Sequence, residues 1–99
     1  MDIKKTAEGD TLVIAVSGRL ETITAPQLDA EIQGLPDNVA ELLMDISSLE
    51  YVSSAGLRVF LVAHKKMKSR GGTMKISGAN ASVKKVFDIT GFSPILNFV

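Results

Sequence analysis

The chain has 99 residues, of which 45% are hydrophobic and 22% are charged, a balance typical of one packed globular domain spanning residues 1–99. It contains no cysteine and a single histidine, His64, which excludes a disulfide framework, a thiolate nucleophile and a multi-histidine metal site. The net charge is zero because residues 1–50 sum to −7 and residues 51–99 to +7, a two-signed distribution that favours a protein partner over nucleic acid.

The first predicted elements are two strands and a helix. Apolar and β-branched residues predict strands at 3–6 and 11–17, paired through the turn at 8–10, with Gly18 ending the second strand. A helix is expected to begin at Thr24, which would act as its N-cap, and to end at Gly34 and Pro36. The remaining predictions, in chain order, are a strand at 42–46, a loop at 47–53, a helix at 54–70 that Gly71 and Gly72 cap, a strand at 73–77, a helix that Asn80 caps and Gly91 ends, and an extended segment at 95–99.

The element order is therefore β-β-α-β-α-β-α-β. Strands that alternate with helices predict an α/β domain with a mostly parallel or mixed sheet of four to five strands and about three main helices. In such sheets binding sites gather at the carboxyl ends of the strands. A binding site is therefore expected in the segment that follows the strand at 42–46.

That segment carries Ser53 and Ser54 at the start of the long helix. The first backbone N–H groups of a helix lack partners within the helix, so a phosphoryl group placed there would meet free donors and the positive end of the dipole. Gly56 would leave room for the backbone of a partner or for a nucleotide to approach. Serine is also a preferred N-cap, and spacing alone leaves open the simpler interpretation that these serines only begin the helix.

The run from Asp45 to Leu57, DISSLEYVSSAGL, resembles the signature of STAS domains, and in particular that of bacterial anti-sigma factor antagonists. The segments at 17–21, 71–72 and 83–92 extend this resemblance over nearly the whole chain. The resemblance implies that Ser54 is the phosphoacceptor. The residues expected around Ser54 as a partner-binding surface are Ser53, Gly56, Glu21, Thr22 and Arg58. Arg58 is placed there by helix spacing, because it lies one turn beyond Ser54 and is within reach of a phosphate at that position.

The chain departs from the family pattern at two positions beside the acceptor. Ser53 stands where the family usually has aspartate, so a negative charge is missing and a second hydroxyl could compete as acceptor. Ala55 stands where the family has a second hydroxyl residue, and Glu21 where it often has an aspartate. Because the acceptor hydroxyl itself is kept, we expect an active switch.

The resemblance also implies a function and a set of partners. The expected partner is an anti-sigma factor serine kinase with a GHKL-type ATPase fold, which the unmodified chain would bind, thereby freeing a sigma factor. Phosphorylation would break this complex, and a metal-dependent phosphatase would restore it. The chain itself is expected to be neither an enzyme nor a carrier of any cofactor or metal, and to bind neither nucleic acid nor a membrane directly. An apolar leader is absent from the N-terminal residues, so the expected location is the cytoplasm.

The alternative left open is a constitutive STAS adaptor, serving an ABC-type lipid transport complex, an anion transporter or a larger signalling assembly. A serine hydrolase is disfavoured because Ser54 and His64 lie ten residues apart on one helix, which separates them by about 15 Å along its axis. The atoms of a nucleophile and its base must lie about 3 Å apart. A cation site built from Asp45, Glu50 and Glu21 is also disfavoured, since acids at strand ends more often cap loops. The basic stretch 64–70 is interpreted as a solvated helix face.

Overall fold

The computed structural model describes all residues from 1 to 99 and contains the five strands and three helices in the predicted order. The elements in chain order are β1 (Asp2–Glu8), β2 (Thr11–Leu20), α1 (Ala25–Gln33), β3 (Glu41–Val52), α2 (Ser54–Ser69), β4 (Thr73–Ser77), α3 (Ala81–Ile89) and β5 (Asn97–Phe98). The α/β class, the mixed sheet and the number of helices agree with the prediction.

The strands form one sheet in the order β1-β2-β3-β4-β5. Strand β1 pairs antiparallel with β2, and every later neighbour is parallel. Each parallel connection moves one strand further in the same direction through one helix. Because such crossovers are right-handed, α1, α2 and α3 all lie on the same face of the sheet. The burial along β2 agrees, since Leu12, Ile14 and Val16 are buried while the residues between them are partly exposed.

The core between the sheet and the three helices is entirely apolar. Aliphatic side chains from β2, β3 and β4 form its floor, and α2 and α3 supply its largest members, Phe60 and Phe87. The rings of these two residues have centroids 5.5 Å apart, and the ring of Phe98 meets Phe87 edge-on at 5.0 Å. This packing fixes the position of α2 over the centre of the sheet.

The basic residues at the end of α2 are exposed or partly exposed, as the interpretation of this stretch as a solvated face expects, and two of these cations also make hydrogen bonds to the chain. Lys66 Nζ donates to the carbonyl oxygen of Gln33 at the end of α1, at 3.1 Å. Arg70 donates to the carbonyl oxygens of Pro36 and Val39 at 2.7 and 3.2 Å. These two cations supply donors to carbonyl groups at the end of α1 and in the connection between α1 and β3.

Two of the predicted strand boundaries are wrong. Strand β2 continues past Gly18 to Leu20, and β3 continues through the predicted loop at 47–53 to Val52. The two strands stay paired because the register shifts twice, so that Ala15 faces Asp45 but Ser17 faces Ser48. Such bulges interrupt the alternation of polar and apolar residues from which a strand is predicted.

The last strand is shorter than the predicted segment 95–99. The N–H groups of Ile95 and Leu96 donate to the carbonyl oxygen of Phe92 at 3.0 and 3.1 Å, which places both residues in a turn. Only Asn97 and Phe98 pair with β4.

Candidate functional site

The predicted site lies at the carboxyl edge of the sheet, where β2 and β3 end and α2 begins. The N–H of Ser53 donates to the carbonyl oxygen of Leu20 at 2.9 Å, joining the ends of the two strands. The carbonyl oxygen of Ser53 then accepts from the N–H of Leu57 at 2.9 Å, which is the first hydrogen bond of α2. The start of α2 is thus held at a fixed place beside the loop that follows β2.

Ser54 is exposed and is the first residue of α2. It lines a shallow cleft of about 260 Å³ together with Ala55 and Arg58. No acidic residue lies in the first turn of the helix, and no side chain caps its N-terminus. The N-terminal N–H groups therefore have no side-chain acceptor, and a negative charge on Ser54 would be stabilised by the helix dipole.

Ser53 differs from Ser54 in the direction of its hydroxyl. Its backbone is extended, with φ −99° and ψ 176°, as an N-cap requires, but its side chain makes no capping hydrogen bond. The Oγ atom is buried and has no hydrogen-bond partner. The structure therefore gives no support to Ser53 as a competing acceptor, because an enzyme would have to reach a buried oxygen. Ser53 occupies the N-cap position and Ser54 begins the helix, as the simpler interpretation expects, although no side-chain hydrogen bond caps α2.

Gly56 is buried, and the space beside it is filled by the chain itself. A Cβ atom at this position would lie 2.7 Å from Leu20 Cγ and 2.9 Å from Val52 Cγ2. Both of these side chains belong to the ends of the strands below α2 and are buried. The expectation that Gly56 leaves room for a partner or a nucleotide is corrected: its missing side chain lets the first turn of α2 sit directly on β2 and β3.

The loop between β2 and α1 brings a second group of predicted residues to the same edge. Thr24 was expected to cap α1, but its hydroxyl instead accepts from the N–H of Glu21 at 2.9 Å and donates to the carbonyl oxygen of Arg19 at 2.8 Å. It therefore stabilises the turn that presents Glu21 and Thr22. Thr22 is exposed and shares an apolar groove of about 330 Å³ between α1 and α2 with Ala55 and Arg58.

Sequence reasoning missed two features of this edge. Ile23, next to Thr22, is 82% exposed and adds an apolar side chain to this edge. The guanidinium of Arg19 stacks on the ring of Tyr51, 4.3 Å from its centroid, and lies 3.6 Å from the carboxylate of Glu21. The register in which Arg19 faces Tyr51 depends on the bulges between β2 and β3, so no sequence signal could have placed the two together.

The acidic residues near the strand ends do not form a cation site. Nowhere in residues 1–99 do three histidine or acidic side chains come together in a way that could hold a metal ion. Asp45 instead closes a local turn, because its Oδ1 accepts from the N–H and the hydroxyl of Ser47 at 3.0 and 2.7 Å. The backbone N–H of Ser47, followed by its hydroxyl, holds the pKa of Asp45 below its usual value.

Asp45→Asn is expected to lower the free energy of unfolding at pH 7 by less than about 1 kcal/mol, given the solvent exposure of the pair. Because the pKa of Asp45 is lower in the folded than in the unfolded chain, its contribution is present above the unfolded value and is lost as the pH falls through the folded value. Urea unfolding of both variants from pH 7 to pH 2 would measure this. A stability difference that stays constant over the whole range would contradict the assignment.

His64 lies on α2, partly buried, and its Nδ1 atom is buried without a hydrogen-bond partner. It does not line the cleft that contains Ser54.

None of the three helices is both long and apolar enough to cross a membrane.

Comparison with known proteins identifies a family for nearly the whole chain. The sequence model of the STAS domain matches residues 2–99. The anti-sigma-B factor antagonist of Bacillus subtilis (strain 168) is 29% identical over 97 residues, covering 98% of this chain and 87% of that protein. An anti-sigma factor antagonist from Mycobacterium paratuberculosis superimposes with a TM-score of 0.84 at 21% identity, covering 98% of this chain and 83% of that one. The Bacillus cell fate determinant SpoIIAA in its phosphorylated form gives a TM-score of 0.74 at 20% identity, with 99% and 91% of the two chains covered.

Proposed function

The chain belongs to the STAS domain family, and we propose that it is an anti-sigma factor antagonist whose binding to an anti-sigma factor serine kinase is switched off by phosphorylation of Ser54. The curated relative described above is named for this antagonism, and a structural neighbour is described in a phosphorylated form. In this proposal residues 1–99 act as one binding domain in the cytoplasm, and a metal-dependent phosphatase reverses the modification.

The observation that carries the proposal is the exposure of Ser54 at the first position of α2. A protein kinase needs an accessible hydroxyl, and the neighbouring Ser53 hydroxyl is buried. Glu21, Thr22 and Arg58 lie around the same edge and are the residues that we assign to the partner surface, with the exposed Ile23 as an additional apolar contact.

The switch needs no change of fold. A phosphate adds about −1.5 to −2 charges at pH 7, and at the N-terminus of α2 it is compatible with the helix that carries it. A partner docked over the same position must remove water from this charge, and a penalty of about 1.4 kcal/mol weakens binding tenfold. A local electrostatic change is therefore sufficient to separate the two proteins.

Ser54→Asp is expected to weaken binding to the cognate anti-sigma factor by about tenfold or more, since even one negative charge must be desolvated at the interface. Ser54→Ala should bind as the parent does. Isothermal titration calorimetry of the purified proteins measures both. Ser82→Asp, at an exposed position in the first turn of α3, is the matched control and should leave the affinity unchanged.

Equal affinity of Ser54→Asp and the parent would contradict a phosphorylation switch at this position. Affinity capture from cells distinguishes the remaining alternative. Recovery of a GHKL-type kinase supports the proposal, whereas recovery of a transporter ATPase would assign the chain to the constitutive adaptors.

A further inference from the structure

We propose that Arg58 binds the phosphate of phosphorylated Ser54 within the same helix, so that modification of Ser54 also withdraws the guanidinium of Arg58 from the partner surface. This inference takes the modification of Ser54 from the proposed function. It concerns what the modified side chain contacts, which can be tested without the partner.

The spacing of the two residues suits such a pair. Ser54 and Arg58 are four residues apart on α2, and side chains at this spacing lie one above the other on the same helix face. An anion on the N-terminal member and a cation on the C-terminal member is the favourable orientation for an i, i+4 pair. Side chains on a helix lean toward its N-terminus, so the long side chain of Arg58 is expected to extend toward Ser54.

The structure places both residues on one surface depression. Ser54, Ala55 and Arg58 alone line the cleft of about 260 Å³ at the head of α2. The third lining residue is alanine, whose small side chain leaves the cleft open. A phosphate on Ser54 would therefore occupy a cleft that the side chain of Arg58 already lines.

The guanidinium of Arg58 has no other partner. The chain has three arginines, and the other two are engaged: Arg19 stacks on Tyr51, and Arg70 donates to two backbone carbonyl groups. Arg58 takes part in none of the three salt bridges of the structure. Asp29 of α1 lines the adjacent groove together with Arg58 but does not form an ion pair with it.

This pair changes what phosphorylation does to the surface. Before modification, the edge presents a free cation beside a neutral hydroxyl. After modification, the cation is bound to a doubly charged phosphate in a charge-assisted, bidentate geometry. A partner that uses an acidic group to contact Arg58 would therefore lose that contact at the same time as it meets the new negative charge.

The test uses the full chain with phosphoserine placed at position 54 by amber-codon incorporation, which requires no kinase. Phosphorus-31 NMR then follows the second ionisation of the phosphate, whose ordinary pKa is about 6. A neighbouring cation favours the dianion, so the pKa in the parent is expected to be lower than in Arg58→Gln by on the order of half a unit, a modest shift for an exposed pair. Lys65→Gln, which removes an exposed cation further along α2, should leave this pKa as in the parent.

Two further measurements keep the inference falsifiable. The parent and Arg58→Gln, each with and without the phosphate, form a double-mutant cycle of melting temperatures, and the phosphate should stabilise the parent more than Arg58→Gln. Raising the salt concentration to about 1 M should shrink the difference in pKa. Equal pKa values in the parent and Arg58→Gln would overturn the proposal. If Arg58 lowers the pKa of the phosphate but no kinase phosphorylates Ser54, the pairing of phosphorylated Ser54 with Arg58 is supported and the proposed function is wrong.

Discussion

Ser54→Ala is expected to abolish phosphate transfer to this chain by its cognate anti-sigma factor kinase, leaving no incorporation above the background without kinase. The physical reason is that Ser54 carries the exposed hydroxyl at the start of α2, whereas the Oγ atom of Ser53 is buried. Incubation with the kinase and Mg-ATP, followed by intact-mass and peptide mass spectrometry, measures the transfer. The variant should still bind the kinase, because its surface carries no added charge.

The matched control for this experiment is Ser53→Ala. The Ser53 hydroxyl makes no hydrogen bond, so its removal leaves no partner unsatisfied and the chain should fold and accept phosphate at the parent rate. Ser54→Thr keeps an acceptor hydroxyl and should retain transfer. If Ser53→Ala loses the phosphate while Ser54→Ala keeps it, the acceptor is Ser53 and the assignment made from the exposure of Ser54 is wrong.

The order of elements could be predicted because local signals agree with the tertiary structure over most of the chain. Asn80 illustrates this agreement, since its side chain accepts from the N–H of Val83 at 2.8 Å and begins α3 as expected. Gly71 and Gly91 follow their helices with φ of +76° and +80°, a conformation that glycine adopts without strain. The alternation of strands and helices then leaves few topologies for a chain of this length.

The details of the site depended on interactions that sequence patterns do not carry. The extension of β3 to Val52 requires two shifts of register against β2, and no local preference in the serine-rich segment signals them. Thr24 has the sequence context of a helix cap, yet its hydroxyl is taken by Arg19 and Glu21. The different directions of the Ser53 and Ser54 side chains are likewise set by the packing of α2 on the sheet. Sequence patterns thus predicted a candidate site at the start of α2 but could not distinguish the surroundings of the neighbouring residues within it.

Gly56→Val is expected to destabilise the fold by about 3 kcal/mol, at the upper end of the usual effect of overpacking. The Cβ atom alone would lie 2.7 Å from Leu20 Cγ, and the two methyl groups of valine add further volume in a region that is already buried. A loss of this size is a large part of the roughly 5–15 kcal/mol that holds a small domain folded. Urea unfolding followed by circular dichroism measures it.

The double variant Leu20→Ala/Gly56→Val distinguishes a packing role from a binding role. Leu20→Ala alone should cost about 2–5 kcal/mol because it leaves a cavity under α2. If Gly56 is required by the contact with Leu20, valine fills part of this cavity, and the double variant is more stable than the sum of the single changes predicts. If Gly56 instead served to admit a partner, Gly56→Val alone would have the same midpoint of urea unfolding as the parent. It would lose only the binding of the partner. The 2.7 Å approach to a buried leucine argues for the first outcome, since neither β2 nor α2 has free space into which the added carbons could move.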